Sequence, residues 1–327
     1  MTADVTSKRG IVYRVLTVAA LILMAVAYVS PIWWVSLAAP QYSHEAFPDG
    51  IRIHFHFDGV YNGCKQPERA ELDLRGEELD CKSEMDTINH YVGMYPIAAG
   101  APVERALSPF LVSILAVVMI AFMMPSRKVQ VTVMATGGAA IVAWASVALF
   151  TVGGVHWFTP GFVKDLIHTM SLEPADYDTW TGMQAIRASY EEGLGRYFRE
   201  AAVIERATAA MMTATTVVYG IIIASVIVLT IALAMIKAGP WLLGLVPAVL
   251  PIAFVADYAS WLYWFGHNLN DMGAFTVKPF MPTVFGDGKV AQFATYSYPH
   301  YGYALLLGLA LLMVVAALIR RKQLAEV

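Results

Sequence analysis

Long apolar stretches alternate along the chain with shorter segments that hold most of its charges. A hydrocarbon layer of roughly 30 Å needs about 20 helical residues, and six stretches come close to or exceed that length: 12–37, 107–125, 131–153, 208–236, 240–265 and 302–319. We therefore predict an all-α membrane bundle of six transmembrane helices. Membrane lipid is its expected solvent, because 58% of the 327 residues are hydrophobic and only 14% are charged. One soluble core cannot bury that much apolar surface.

Basic residues mark every second connection between the predicted spans. Lys and Arg lie before the first span, between the second and third, between the fourth and fifth, and after the last. By the positive-inside rule these short segments, including the tails 1–11 and 320–327, are cytoplasmic. The long connections 38–106, 154–207 and 266–301 then lie outside, together with nearly all the carboxylates. We expect a bacterial inner-membrane protein with both termini in the cytoplasm and a small mixed α/β cap in the periplasm.

Each outer connection has its own pattern. Residues 51–57 alternate between apolar side chains and the polar Arg52, His54 and His56, which predicts a half-buried strand. Asp58-Gly59 then predicts the turn of a β-hairpin. Apolar positions between 182 and 206 recur at helical spacing, which predicts an amphipathic helix. The third connection is rich in Pro and Gly and is expected to be ordered loop.

Cys64 and Cys81 are the two cysteines of the chain, and both lie in the first outer connection. An oxidising periplasm favours a disulfide between them, which closes an irregular acidic loop and contributes about 3 kcal/mol in the chain-entropy model. The alternative is a pair of thiolate metal ligands, although their spacing matches no zinc motif.

Histidines are confined to the predicted outer side. All eight lie outside the spans or at their outer ends, so an intramembrane haem b is not expected. His54 and His56 share a strand face about 6.6 Å apart, a spacing that suits chelation of copper or zinc, or else they form an ordinary polar strand face. His90 and Met94 share one face if their segment is helical. That pair suits copper(I), or else is a polar cap residue beside a packing methionine. We predict that some of these residues converge on one copper site.

Asp257 is the acidic residue that falls within a predicted span, in the outer third of the fifth. An ionisable group there is costly and marks a proton or ion relay, unless water or a loop base such as Lys278 satisfies it. The chain has no nucleotide-binding or hydrolytic motif, and no basic patch interleaved with aromatic residues. We therefore expect no nucleotide cofactor and no nucleic-acid partner, and an accessory rather than a catalytic role.

Short blocks of the chain resemble a known group of proteins. Pro-Ile-Trp-Trp at 31–34, Ala-Pro-Gln-Tyr at 39–42 and Asn-His-Tyr-Val-Gly-Met at 89–94 are similar to blocks in uncharacterised bacterial multi-pass membrane proteins associated with copper-enzyme maturation clusters of the nitrous-oxide reductase type. The resemblance implies an accessory protein that handles copper, or that docks to a periplasmic or membrane copper or redox enzyme.

Two other functions stay open at this point. The first is a metal-free integral subunit of a respiratory or monooxygenase complex. The second is a secondary transporter that uses Asp257. A transporter predicts a solvated cavity that reaches this carboxylate from outside.

Overall fold

The computed structural model of the protein describes residues 8–65, 80–97, 101–274, 277–290 and 292–326. Within these ranges, six helical segments are long and apolar enough to span a membrane. In chain order these spans are Lys8–Tyr28, Pro102–Met123, Arg127–Phe150, Ala201–Met235, Gly239–His267 and Tyr301–Ala325. Six helices long and apolar enough to span a membrane are thus confirmed in the predicted order, and they form a helical bundle.

A five-stranded antiparallel sheet covers one end of the bundle. Its strands are β1 (Trp33–Ala38), β2 (Ile51–His56), β3 (Gly59–Asn62), β4 (Gly286–Val290) and β5 (Phe293–Pro299), in the order β3-β2-β1-β5-β4. β1 follows the first span and β5 leads directly into the sixth. These two spans pack along each other, so the two central strands are anchored to the bundle by adjacent helices.

The register of the sheet assigns alternate residues to two faces. In β1, Trp33 pairs with Phe55 of β2, and Val35 pairs with Ile53. These apolar side chains lie on the inner face, where Trp33 packs against aromatic rings of the fifth and sixth spans. Because side chains alternate along a strand, the polar residues of β2 lie on the outer face, as the sequence predicts.

The predicted hairpin after β2 is also confirmed. β2 and β3 pair antiparallel across Asp58-Gly59, with His56 opposite Gly59. Gly59 has a φ of +135°, a conformation that only glycine adopts readily. The guanidinium of Arg105 lies against this turn and donates to the carbonyl of Asp58 at 3.4 Å, so the hairpin is attached to the start of the second span.

Four α-helices lie outside the spans in the described part of the chain: Cys81–Tyr91, Pro160–Met170, Pro174–Tyr177 and Gly182–Gly195. Thr181 and Gln184 form a capping box at the start of the last of these, so the predicted amphipathic helix begins where its pattern starts, but it ends at Gly195 rather than near 206. Arg105 forms an ion pair with Asp165 of the helix Pro160–Met170. A small cap of helices and strands is thus present, as expected.

Several predicted boundaries are wrong. The first span ends at Tyr28 rather than at 37, because Pro31 cannot donate a helical hydrogen bond and the Trp-Trp-Val run that follows forms β1. The predicted loop 266–301 contains β4 and β5, which pair with each other, and β5 also pairs with β1, more than 200 residues away in the chain. Local composition does not reveal such distant pairing.

Other spans are longer than predicted. The second begins at Pro102 rather than 107, and the fourth at Ala201 rather than 208. The sixth continues to Ala325, so most of the predicted tail 320–327 is helical. Pro102 occupies the first helical position, which suits proline. Because the second span begins at Pro102, Glu104, which the sequence predicts to lie in a loop, belongs to this helix.

Basic side chains cluster at the end of the bundle opposite the sheet. Arg14 donates to the carbonyl of Met123 at 3.0 Å, and Arg320 donates to that of Met124 at 2.6 Å. Arg127 donates to the carbonyl of Leu233 at 2.7 Å. These arginines therefore satisfy carbonyl groups left without partners at helix C-termini and offset the negative end of the helix dipole.

Candidate functional site

The cysteines are joined in the structure. Cys64 and Cys81 form a disulfide with their Cα atoms 5.7 Å apart, which confirms the predicted pairing. Cys81 begins the helix Cys81–Tyr91, and Cys64 follows β3, so the bond ties this helix to the hairpin. The acidic loop predicted between the cysteines lies mostly outside the described residues.

His54 and His56 occupy the outer face of the sheet. The ring of His54 lies 5.1 Å from that of His300, and the ring of His56 lies 4.4 Å from that of Tyr61, centroid to centroid. Burial, with smaller contributions from His300 and Arg52, lowers the pKa of His54 to about 4. Burial also lowers the pKa of His56 and of His300. The three imidazoles are therefore neutral at pH 7.

His90 and Met94 do not share a helix face. The helix ends at Tyr91, and Gly93 adopts a φ of +83°, so the helical spacing assumed for this pair does not extend to Met94. The ring of His90 packs 5.0 Å from that of Phe198, whereas Met94 is buried in the core. The prediction of a shared His90–Met94 helix face is wrong because a glycine ends the helix.

The predicted copper ligands consequently lie at separate places. His54 and His56 are on the outer face of the sheet, whereas the helix that carries His90 packs against the inner face. Within the described residues, no group of three or more His, Cys, Asp or Glu side chains is arranged to hold a metal ion. The structure does not bring the four together, and copper binding stays a prediction.

Asp257 lies in the fifth span, as predicted, and lines a cavity of about 70 Å³ beneath the sheet. The same cavity is lined by Glu104, from the first turn of the second span, and the two carboxylates are close enough to interact electrostatically. The β2–β3 hairpin closes the cavity on one side through Phe55, Gly59 and Val60. A cavity of this volume has room for several water molecules.

Neither carboxylate is neutralised by a base. No ion pair in the described part of the chain involves Asp257 or Glu104. Lys278 does not pair with Asp257, and Arg105, next to Glu104 in sequence, pairs with Asp165 instead. Two acidic groups therefore face one cavity without an ion-pair partner in the described residues, and Arg105, held by Asp165, exerts only a small attraction on Glu104.

The carboxylates differ in environment. Glu104 is half-buried, the side chain of Trp261 lies within hydrogen-bonding reach of its carboxylate, and its buried Oε2 atom has no hydrogen-bond partner in the described structure. Asp257 is exposed and so stands at the mouth of the cavity. Aromatic side chains form much of the remaining wall: Phe55, Phe254, Tyr258, Trp261 and Phe265.

Glu104 is the residue of this site that the sequence analysis missed. The apolar stretch of the second span begins at 107, so hydropathy alone places Glu104 in the outer connection. Pro102 was the available signal, because proline favours the first position of a helix and places Glu104 at the third. The contact between Glu104 and the fifth span is tertiary and has no counterpart in local sequence.

Comparison of the chain with protein-family models, with curated proteins and with solved structures gave no match. The resemblance to copper-enzyme maturation proteins therefore stays a prediction. The function proposed below therefore rests on the side chains described above and on their geometry.

Proposed function

We propose that the protein is a membrane transporter that binds a cation at Glu104 and Asp257, near the outer end of its helical bundle. The observation that carries this proposal is the pair of carboxylates that line one cavity without a basic partner. A transporter using Asp257 was one of the functions left open by the sequence, and a cavity at this carboxylate is what such a transporter requires.

The energetics of two carboxylates in an apolar surrounding favour a bound cation. An ionised group in or near the hydrocarbon layer is destabilising unless it is paired, and two like charges that share a site repel each other. A cation bound between Glu104 and Asp257 reduces both the cost of an unpaired charge and the repulsion between the two carboxylates. Tyr258 and Trp261 also line the cavity, and an aromatic face turned towards the cation adds about 0.5–2 kcal/mol.

The fifth span supports transport rather than static binding. Before the regular helix Leu250–His267 it consists of a short helix, Gly239–Leu242, and two 3₁₀ turns, Leu243–Leu245 and Pro247–Val249. Discontinuous helices of this kind form the substrate and ion sites of many transporters. Asp257 sits on the regular helix, about two turns beyond the interruption.

Binding and uptake test the proposal with matched variants. The protein is reconstituted in nanodiscs and titrated with methylammonium, and uptake of the same cation is followed in proteoliposomes. Glu104→Gln and Asp257→Asn should each weaken binding about 10- to 100-fold, the effect of losing one charge-assisted contact, and should abolish uptake. The control is Asp271→Asn, an exposed carboxylate outside the cavity. Equal loss in the control contradicts the proposal, as does binding without uptake.

Copper handling at the outer face is a second candidate. It is favoured by the ring contact of His54 with His300, since neutral imidazoles are ligands for copper. In this arrangement the Nδ1 atom of His300 accepts a hydrogen bond from the Tyr301 N–H at 2.9 Å, so the ring must rotate to bind a metal through that atom. Metal analysis of gently purified protein tests this function. Changing His54 and His56 together to Ala should lower the bound copper.

A further inference from the structure

A second cavity adjoins the one that contains the carboxylates. It has a volume of about 60 Å³ and lies between the inner face of the sheet, the helix Cys81–Tyr91 and the fifth span. Phe55, Ile97 and Tyr258 line both cavities, so these side chains form a wall that the two share. We refer to them as the acidic cavity and the apolar cavity.

The wall of the apolar cavity is almost entirely hydrocarbon. Met85, Ile88 and Met94 contribute on one side and the strands of the sheet on the other. Its threonines, Thr283 and Thr295, hydrogen-bond to each other at 2.7 Å. Apart from the Asn89 amide, the wall offers little to a polar ligand. A chain of CH₂ groups is the chemistry that fits it.

We propose that the cation bound by the protein is a short-chain alkylammonium. Its ammonium group lies between Glu104 and Asp257 in the acidic cavity, and its chain passes Tyr258 into the apolar cavity. This inference rests on the proposed function and specifies its substrate class.

The sizes of the cavities limit the length of the chain. Each is about half as large as the roughly 150 Å³ apolar cavity that accommodates benzene. Together they therefore hold a ligand of about six non-hydrogen atoms, which corresponds to an ammonium nitrogen and four or five carbons.

The surroundings of Asp257 indicate how such a ligand reaches the site. Asp257 is exposed, and so are Ala253 and Ser260, which lie one turn before and one turn after it on the same side of the helix, as expected of residues that face lipid. The mouth of the acidic cavity thus lies at the side of the bundle near its outer end. An amphiphilic amine concentrates at that boundary between lipid and water.

A series of n-alkylammonium ions from methyl to octyl tests the inference in nanodiscs. Nonspecific partitioning into lipid is subtracted with the double variant Glu104→Gln, Asp257→Asn. Affinity should rise about fourfold for each added methylene, the ratio expected for one buried CH₂, up to butyl- or pentylammonium, and should not rise beyond that.

Variants of the apolar cavity separate this inference from the proposed function. Met85→Ala enlarges the apolar cavity and should move the preferred chain about two carbons upward. Val92→Phe fills it and should remove the dependence on chain length while methylammonium still binds. If all chain lengths bind equally to the wild type and Asp257→Asn weakens all of them, the inference is overturned and the proposed function stands. If no ammonium ion binds in a way that depends on the carboxylates, both fail.

Discussion

Replacement of one of two adjacent tryptophans tests how the sheet is attached to the bundle. Trp33 is 3% exposed, its indole N–H donates to the Ser297 hydroxyl at 2.9 Å, and its ring packs against Tyr258 and Tyr303. Truncation of a buried aromatic residue costs about 3–5 kcal/mol. Trp34 lies on the other face, where the Arg52 guanidinium is 4.0 Å from its ring centroid. Trp34 is half-buried, and its ring also lies 5.4 Å from that of Tyr298, so its two contacts together are worth about 2 kcal/mol.

Trp33→Ala should therefore destabilise the sheet by about 4 kcal/mol and Trp34→Ala by about 2 kcal/mol. Amide hydrogen exchange of β1 and β5, followed by mass spectrometry in nanodiscs, measures the opening of this unit. The expected effect of Trp33→Ala is a fall in protection of about a thousandfold, and that of Trp34→Ala is about thirtyfold. Equal losses, or a larger loss with Trp34→Ala, refute the assignment of the two faces.

Three further predictions concern the disulfide, the orientation in the membrane and the pH dependence of the sheet. A non-reduced digest should contain the Cys64 and Cys81 peptides linked, whereas free thiols on both in protein from an aerobic culture contradict the pairing. Reporter fusions after Lys128 should be cytoplasmic and those near Asp176 periplasmic, and the reverse result overturns the predicted orientation. Because the pKa of His54 falls from 6.5 to about 4 on folding, the unfolded chain binds more protons between these values. The sheet should lose stability as the pH falls through that window, by at most about 3 kcal/mol. Proteolysis at pH 7 and 4.5 measures this loss, which should be smaller in His54→Gln, where only His56 and His300 still contribute.

The elements that sequence patterns predict well are those whose partners are close in the chain or are lipid. The six spans follow from length and hydropathy alone. The alternation of residues 51–57 and the turn after it predict β2 and its hairpin partner, because both faces of the strand and the tight turn are local features.

The elements that sequence patterns miss depend on distant contacts. β5 contains Phe293, Thr295 and Ser297 on its inner face, a set in which only one residue is strongly apolar. It forms a strand because β1 offers it backbone hydrogen bonds. The end of the helix Cys81–Tyr91 depends on Gly93, which changes where Met94 lies.

The candidate site shows the same division. Asp257 is identifiable because a carboxylate in an apolar stretch is conspicuous. Glu104 is not identifiable in this way, because it lies at the edge of its span. It comes near Asp257 only because the second and fifth spans pack around the same cavity. The apolar cavity is lined by residues from the sheet, the helix Cys81–Tyr91 and the fifth span. The sequence of any one of these segments does not predict it.

Chemical labelling of the carboxylates tests the central claim most directly. An apolar carbodiimide reacts with carboxylic acids in poorly hydrated surroundings, and mass spectrometry locates the product. We predict that the reagent modifies Glu104 or Asp257 in nanodiscs, and that saturating pentylammonium protects the modified residue while labelling of Asp271 is unchanged. Labelling of Glu104 and Asp257 that pentylammonium and methylammonium both leave unaltered contradicts cation binding at this cavity.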